Sequence, residues 1–176
     1  DLHKLIAFVA ILLLPLSLFA QEYGRVLTES FEDGIPQEWL QEKVSGDISW
    51  VVESGGDRPT GAFDGKKRVA FRNVSGKTTK AKTRLVLPVM DLSKLYQPIL
   101  VFAHAQDKWT DDFDTLKILY RTSSESHWTE LKVYDKYMAK WTVDTVRLIA
   151  ASKTYQIAFE ATDNLDRGVV IDNIEI

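Results

Sequence analysis

Tyr155-Gln156-Ile157-Ala158-Phe159 and, earlier in the chain, Leu116-Lys117-Ile118-Leu119-Tyr120 decide the fold. In both, large apolar side chains recur at every second position: Tyr155, Ile157 and Phe159, then Leu116, Ile118 and Tyr120. Successive side chains of a strand point to opposite faces, so this spacing predicts half-buried strands. Working outward, similar short runs cover Arg25–Ser30, Ser49–Val52, Arg68–Arg72, Lys82–Val89 and Ile99–Ala105. Beyond them, Thr115–Arg121, Thr129–Tyr134, Asp144–Leu148, Tyr155–Thr162 and Val169–Ile176 complete the series. Turn clusters separate these runs, among them Asp33-Gly34, Gly55-Gly56-Asp57, Asp64-Gly65 and Ser75-Gly76. After Ala20 no long 3.6-residue period appears, and Asp91–Leu95 suits a single helical turn. Many short strands with frequent turns predict an all-β, two-sheet antiparallel sandwich and argue against a parallel α/β sheet.

The first 20 residues read differently. His3 and Lys4 give a positive start, and Leu5–Ala20 is apolar throughout except at Pro15 and Ser17. The run is short for a membrane span, which needs about 20 residues. It fits a signal peptide cleaved after Ala20, leaving one mature domain over residues 21–176 that is secreted or held at the cell surface. The whole chain carries 22 Lys and Arg against 25 Asp and Glu, a net charge of −3, which argues against a nucleic-acid surface. It contains no cysteine, so an exported domain of this kind has no disulfide framework and depends on core packing or a metal.

Three segments in order carry a family resemblance. They are Glu29-Ser30-Phe31-Glu32-Asp33-Gly34-Ile35-Pro36 with Trp39, then Thr83–Leu92 followed by Leu100-Val101-Phe102-Ala103, then Gly168-Val169-Val170-Ile171-Asp172-Asn173-Ile174-Glu175-Ile176. Together they resemble the cleaved-adhesin and choice-of-anchor J domains of Bacteroidetes surface proteins, and are similar to MAM domains. The lack of cysteine favours the bacterial branch, because MAM domains normally carry disulfides. The resemblance implies a jelly-roll sandwich, usually with bound calcium, used in adhesion or beside a catalytic domain. The family's Ser-x-Asp-Gly-Gly turn is degenerate here, at Thr122-Ser123-Ser124-Glu125-Ser126-His127-Trp128, and no function is carried onto it.

Candidate site residues follow from the pattern and the resemblance. Strict alternation puts Asp172 on the face of Val170, Ile174 and Ile176, and Glu29 on the face of Leu27 and Phe31. A carboxylate among apolar neighbours needs a partner. If the first and last strands are neighbours, as the resemblance implies, Glu29 and Asp172 approach one point. Glu32 and Asp57 match the family's acidic positions, so these four acids are the candidate calcium ligands, oxygen donors of the type calcium takes. The alternative is turn capping by Glu32 and Asp57, with Asp172 bonded to backbone amides.

Asp111, Asp112 and Asp114 suggest a second metal or a carboxylate pair, but adjacent acids before a strand read first as a solvated loop. His104 and His127 lack metal-ligand spacing. Lys80, Lys82 and Arg84 alternate along one strand face, which is either solvated or set against an anionic partner. Trp109, beside Asp107 and Lys108 in a loop, is the candidate ligand-binding residue, because an exposed indole stacks on sugar rings or anchors a protein contact. Trp39, Trp50 and Trp128 are assigned to packing. The leading function is a non-catalytic module binding an extracellular glycan or protein. A structural subunit of an envelope assembly and a glycoside hydrolase are the alternatives.

Overall fold

The computed structural model describes residues 24–77, 79–109 and 111–176, so the expected signal peptide at 1–20 lies outside the described residues. Among the described residues eleven strands form two antiparallel sheets: β1 (Thr28–Glu29), β2 (Leu40–Ser45), β3 (Trp50–Ser54), β4 (Lys67–Phe71), β5 (Lys82–Val86), β6 (Ile99–Gln106), β7 (Thr115–Arg121), β8 (Thr129–Tyr134), β9 (Met138–Arg147), β10 (Gln156–Thr162) and β11 (Val169–Glu175). One sheet has the order β3-β4-β11-β6-β9, and the other β2-β5-β10-β7-β8. Strand β11 is shared along one side: β4 pairs with Val169–Ile171, while β1 pairs with Ile174 and Glu175. The result is the expected jelly-roll sandwich.

The alternating apolar residues meet between the sheets. Phe71, Leu100, Phe102, Val169 and Ile171 from the first sheet pack with Leu85, Leu116, Ile118, Ile157 and Phe159 from the second. The rings of Phe102 and Phe159 meet edge to face with centroids 5.1 Å apart. Each such buried side chain contributes roughly 1.5–3 kcal/mol. Trp39 and Trp50 are core residues, whereas Trp128 is half-buried on the outside of the second sheet, with Arg121 over its ring at 4.4 Å.

Three elements differ from the pattern reading. Strand β2, Leu-Gln-Glu-Lys-Val-Ser, is exposed along its whole length at a sheet edge, so no apolar alternation marks it. Strand β9 begins at Met138, well before Asp144: it is an edge strand in which only Val146 is buried, so its first half carries no apolar alternation. The Asp91–Leu95 segment is a turn closed by Leu95 N to Leu92 O, with no helix.

His104 points into the core, fully buried between Phe102 and Tyr134, with centroids 5.1 and 4.3 Å away. Neither ring nitrogen has a hydrogen-bond partner. Burial lowers its pKa to about 4, against the opposing pull of Asp144. The folded chain therefore stays neutral at His104 while an unfolded one takes up a proton below about pH 6.5. Stability is lost as the pH falls from there towards the folded value, by about 2–3 kcal/mol at pH 4.5. His104→Leu is expected to flatten this slope, measured by urea unfolding at neutral and acid pH. Equal slopes in the two proteins would contradict it.

Candidate functional site

The long turn between β3 and β4 folds back over the outer face of the first sheet. Arg68, next to Val69 in β4, points outward yet is fully buried beneath this turn. It donates to the carbonyls of Asp57, Pro59 and Gly61 and pairs with Glu53 at 2.9 Å. Gly56 makes room for it, since a Cβ there would lie 2.4 Å from a guanidinium nitrogen. Phe63 and Trp141 close the cover edge to face at 6.1 Å, over Ala70, Ala105 and Val170.

Of the four acids expected at a calcium site, Asp172 and Glu32 bond backbone amides of this turn, and Asp57 belongs to it. Asp172 shares the outer face with Val170, as expected, but Ile174 and Ile176 lie in the core instead. Asn173, at φ 48°, breaks the alternation where the β11–β6 register shifts, so the face changes after Asp172. Asp172 is buried because the turn covers it: its carboxylate accepts Phe63 N at 2.8 Å, Asp64 N at 3.1 Å and Asn173 N at 2.7 Å. Burial raises its pKa against the pull of these amides.

Glu32 accepts Lys66 N and Lys67 N at 2.8 and 2.7 Å, and these bonds hold its pKa low. It lies against Gly65, where a Cβ would be 2.5 Å from its carboxyl carbon. Glu29 accepts Phe31 N, and Asp57 offers its backbone carbonyl to Arg68 and Arg72. Among the described residues no three His, Cys, Asp or Glu side chains are grouped to hold a metal ion. The carboxylates of Glu29, Glu32 and Asp172 act as backbone-amide acceptors.

At the end of the sandwich where β4 and β10 finish and β11 begins, three depressions adjoin around Asn73, of about 560, 490 and 380 Å³. Trp109 borders one of them and is 68% exposed. Its amide donates to Asp166, and the Arg167 guanidinium packs on its ring 3.8 Å from the centroid. The indole is thus held from beneath and open above. Nearby, Tyr137 is half exposed with Lys108 Nζ 5.5 Å over its ring.

Arg58 reaches over from the folded turn to line the depression of about 560 Å³ and pairs with Asp107 at 2.9 Å. The loop after β4 joins the three depressions through Asn73, which borders each of them. Asp163, buried, accepts from Asn73 Nδ2, Thr79 N and Thr79 Oγ1, and this network presents Val74 at 94% exposure. The Asn73 amide of the Asn73-Val74-Ser75 sequon also donates to Lys77 O.

The remaining candidates take structural places. Asp114 is buried and accepts the amides of Asn164, Asp166 and Gly168, stapling the β10–β11 turn, with its pKa raised by burial. Asp111 stays exposed beside Lys108. Arg84 lies on the outer face of the second sheet between Glu42 and Glu160, at 2.6 and 2.7 Å, and Lys80 bonds Asn164. That face is a ladder of paired charges. His127 is exposed in its turn. Arg58, Tyr137 and Arg167 escape a sequence reading because nothing local marks a lone arginine or tyrosine in a turn; only the folded loops bring them beside Trp109.

The description MAM domain, meprin/A5/mu matches residues 30–176. No curated protein matches the chain by sequence. Among solved structures, the K1 cleaved adhesin domain of Lys-gingipain from Porphyromonas gingivalis is similar at 18% identity and a TM-score of 0.67, over 85% of this chain and 95% of that one. The CBM22-1 xylan-binding domain from Paenibacillus barcinonensis superposes with a TM-score of 0.54 at 13% identity, covering 86% and 92%. TmCBM61, solved with β-1,4-galactotriose, gives 0.57 at 12%, covering 83% and 92%. At these identities the likeness is one of fold.

Proposed function

The chain belongs to the MAM domain family, and from that premise we propose that it is a non-catalytic module that binds an extracellular glycan, at the cell surface or after secretion. The observation that carries this is Trp109: an exposed indole fixed by Arg167 and Asp166 beside adjoining depressions with polar rims. An apolar ring face pre-set beside hydrogen-bonding groups suits a sugar, whose C–H face stacks while its hydroxyls bond at the edge. The acids that line this groove, Asp57, Asp166 and Glu53, share it with arginines, and Glu53 pairs with Arg68 and Arg72. The fold likeness to xylan-binding and galactotriose-bound domains supports a glycan over a protein partner.

Trp109→Ala is expected to weaken glycan binding by about 1–3 kcal/mol, as for one stacked anchor. Its melting temperature should stay close to the parent's, because the ring is exposed. Affinity electrophoresis over a polysaccharide panel with calorimetry on the hits measures both. A Trp109→Ala variant that binds every hit normally would move the site elsewhere; hydrolysis of a hit that stops in Asp112→Asn would replace binding with catalysis.

Calcium has a separate test. Because backbone amides already occupy Glu29, Glu32 and Asp172, the folded turn is proposed to hold without metal, and chelator should leave the melting temperature unchanged. A fall of several degrees in chelator, restored by calcium and not by magnesium, would instead give these acids the metal role the resemblance implies. At about 100 times its dissociation constant a bound ion adds about 2.7 kcal/mol.

A further inference from the structure

Four arginines line the depression of about 560 Å³: Arg58, Arg68, Arg72 and Arg167. Three have carboxylate partners within the fold. Arg58 pairs with Asp107, and Arg68 and Arg72 share Glu53. Arg167 is different. Its guanidinium lies on the face of Trp109, and its Nε is buried with no hydrogen-bond partner. A buried charged donor left unbonded costs more than a neutral one and calls for an acceptor. The backbone on either side is fixed, since Arg167 N donates to Asp166 and its carbonyl accepts Arg72. Arg167 also stands at the junction of two depressions, the one under the folded turn and the one beside Trp109.

Away from this junction the groove changes character. Its far part sets Ile48, Val51 and Val74 beside Asp47, Glu53 and Arg72, with Val51 and Val74 exposed. A ligand that fits both parts is a sugar chain that brings an acidic group to Arg167.

We infer that Arg167 reads a carboxylate on the bound glycan, so that the ligand is a polysaccharide containing uronic acid. This rests on the glycan-binding reading of Trp109 and narrows its substrate class. The guanidinium offers a planar fork matched to a carboxylate, and the stacked indole keeps that plane from turning. The sugar ring bearing the acid then lies beside Trp109, so stacking and charge recognition act on neighbouring parts of one ligand.

The test uses the whole chain and three acidic polymers, polygalacturonate, alginate and hyaluronan, each compared with the same polymer after its carboxyls are reduced to alcohols. At least one is expected to bind about tenfold or more tightly in its carboxylate form, with the difference shrinking in high salt. Arg167→Met should erase the difference while leaving the reduced polymer bound, and Arg167→Lys should keep only part of it. Trp109→Ala should weaken both forms, the carboxylate form more, because the guanidinium loses the ring that holds it. If the parent binds both forms of every polymer equally, or if Arg167→Met still prefers the carboxylate, the inference falls while loss of neutral binding in Trp109→Ala leaves the glycan reading standing. Failure to bind these polymers or any neutral polysaccharide in either form ends both.

Discussion

Arg68→Met is expected to destabilise the protein by about 3–5 kcal/mol, the cost of breaking a buried charge network by removing one partner. Methionine fills much of the same space, so little of the loss would come from a cavity. The loss comes from acceptors: the carbonyls of Asp57, Pro59 and Gly61 lose their donor, and Glu53 keeps Arg72 alone. These carbonyls hold the long turn against the outer face, so the turn should become sensitive to protease before the rest unfolds. Arg58 rides on that turn, and glycan affinity should fall with it. Urea unfolding measures the first effect and limited proteolysis the second. A loss below about 1 kcal/mol with the turn still protected would show that Asp172 and Glu32 hold it without Arg68.

Trp50→Ala is expected to cost about 3–5 kcal/mol, as for a fully buried indole. Trp50 joins the two sheets at an open side of the sandwich. It belongs to β3, its ring packs on Phe71 at 5.6 Å, and its Nε1 donates to Thr83 O of β5 in the opposite sheet at 3.1 Å. Its backbone does the same in reverse: Gln41 of β2 gives and takes a 2.8 Å hydrogen bond with Trp50 O and N. The amide side chain makes the two bonds a neighbouring strand would make, so one rung of the β3 edge is closed from the other sheet. Removing the indole empties the space between β3 and β5, and the melting temperature should fall on the order of ten degrees. A fall of only a degree or two would mean that the two sheets are held elsewhere.

The fold was legible where large apolar side chains recur at every second position. Tyr155–Phe159 and Leu116–Tyr120 mark the two inner strands β10 and β7 of the second sheet, but the expected half-burial fails for Tyr155–Phe159, where every side chain is buried because β10 is flanked by strands and covered on both faces. The edge strand β2 carries no such record, since none of its side chains is buried. Asp172 shows a different limit. Counting by twos places it correctly with Val170, then fails at Asn173, because a positive φ in the strand is a local backbone choice that alternation does not encode. Its burial comes from a turn more than a hundred residues earlier, bonded through Phe63 and Asp64. Trp109 was legible as an exposed loop aromatic because charged neighbours surround it in the sequence. The arginine beneath it was not, since Arg167 reaches the ring only when the β6–β7 and β10–β11 turns meet.

The most direct measurement is a glycan titration followed through the indole N–H signals, one for each of the five tryptophans. The Trp109 signal is identified by its loss in Trp109→Phe. With oligosaccharide fragments of a bound polymer, the Trp109 signal should move first and furthest, while those of the core residues Trp39 and Trp50 stay in place. Movement concentrated at Trp128 or Trp141, with Trp109 unchanged, would place the ligand on an outer sheet face and contradict a binding site built on Trp109 and Arg167.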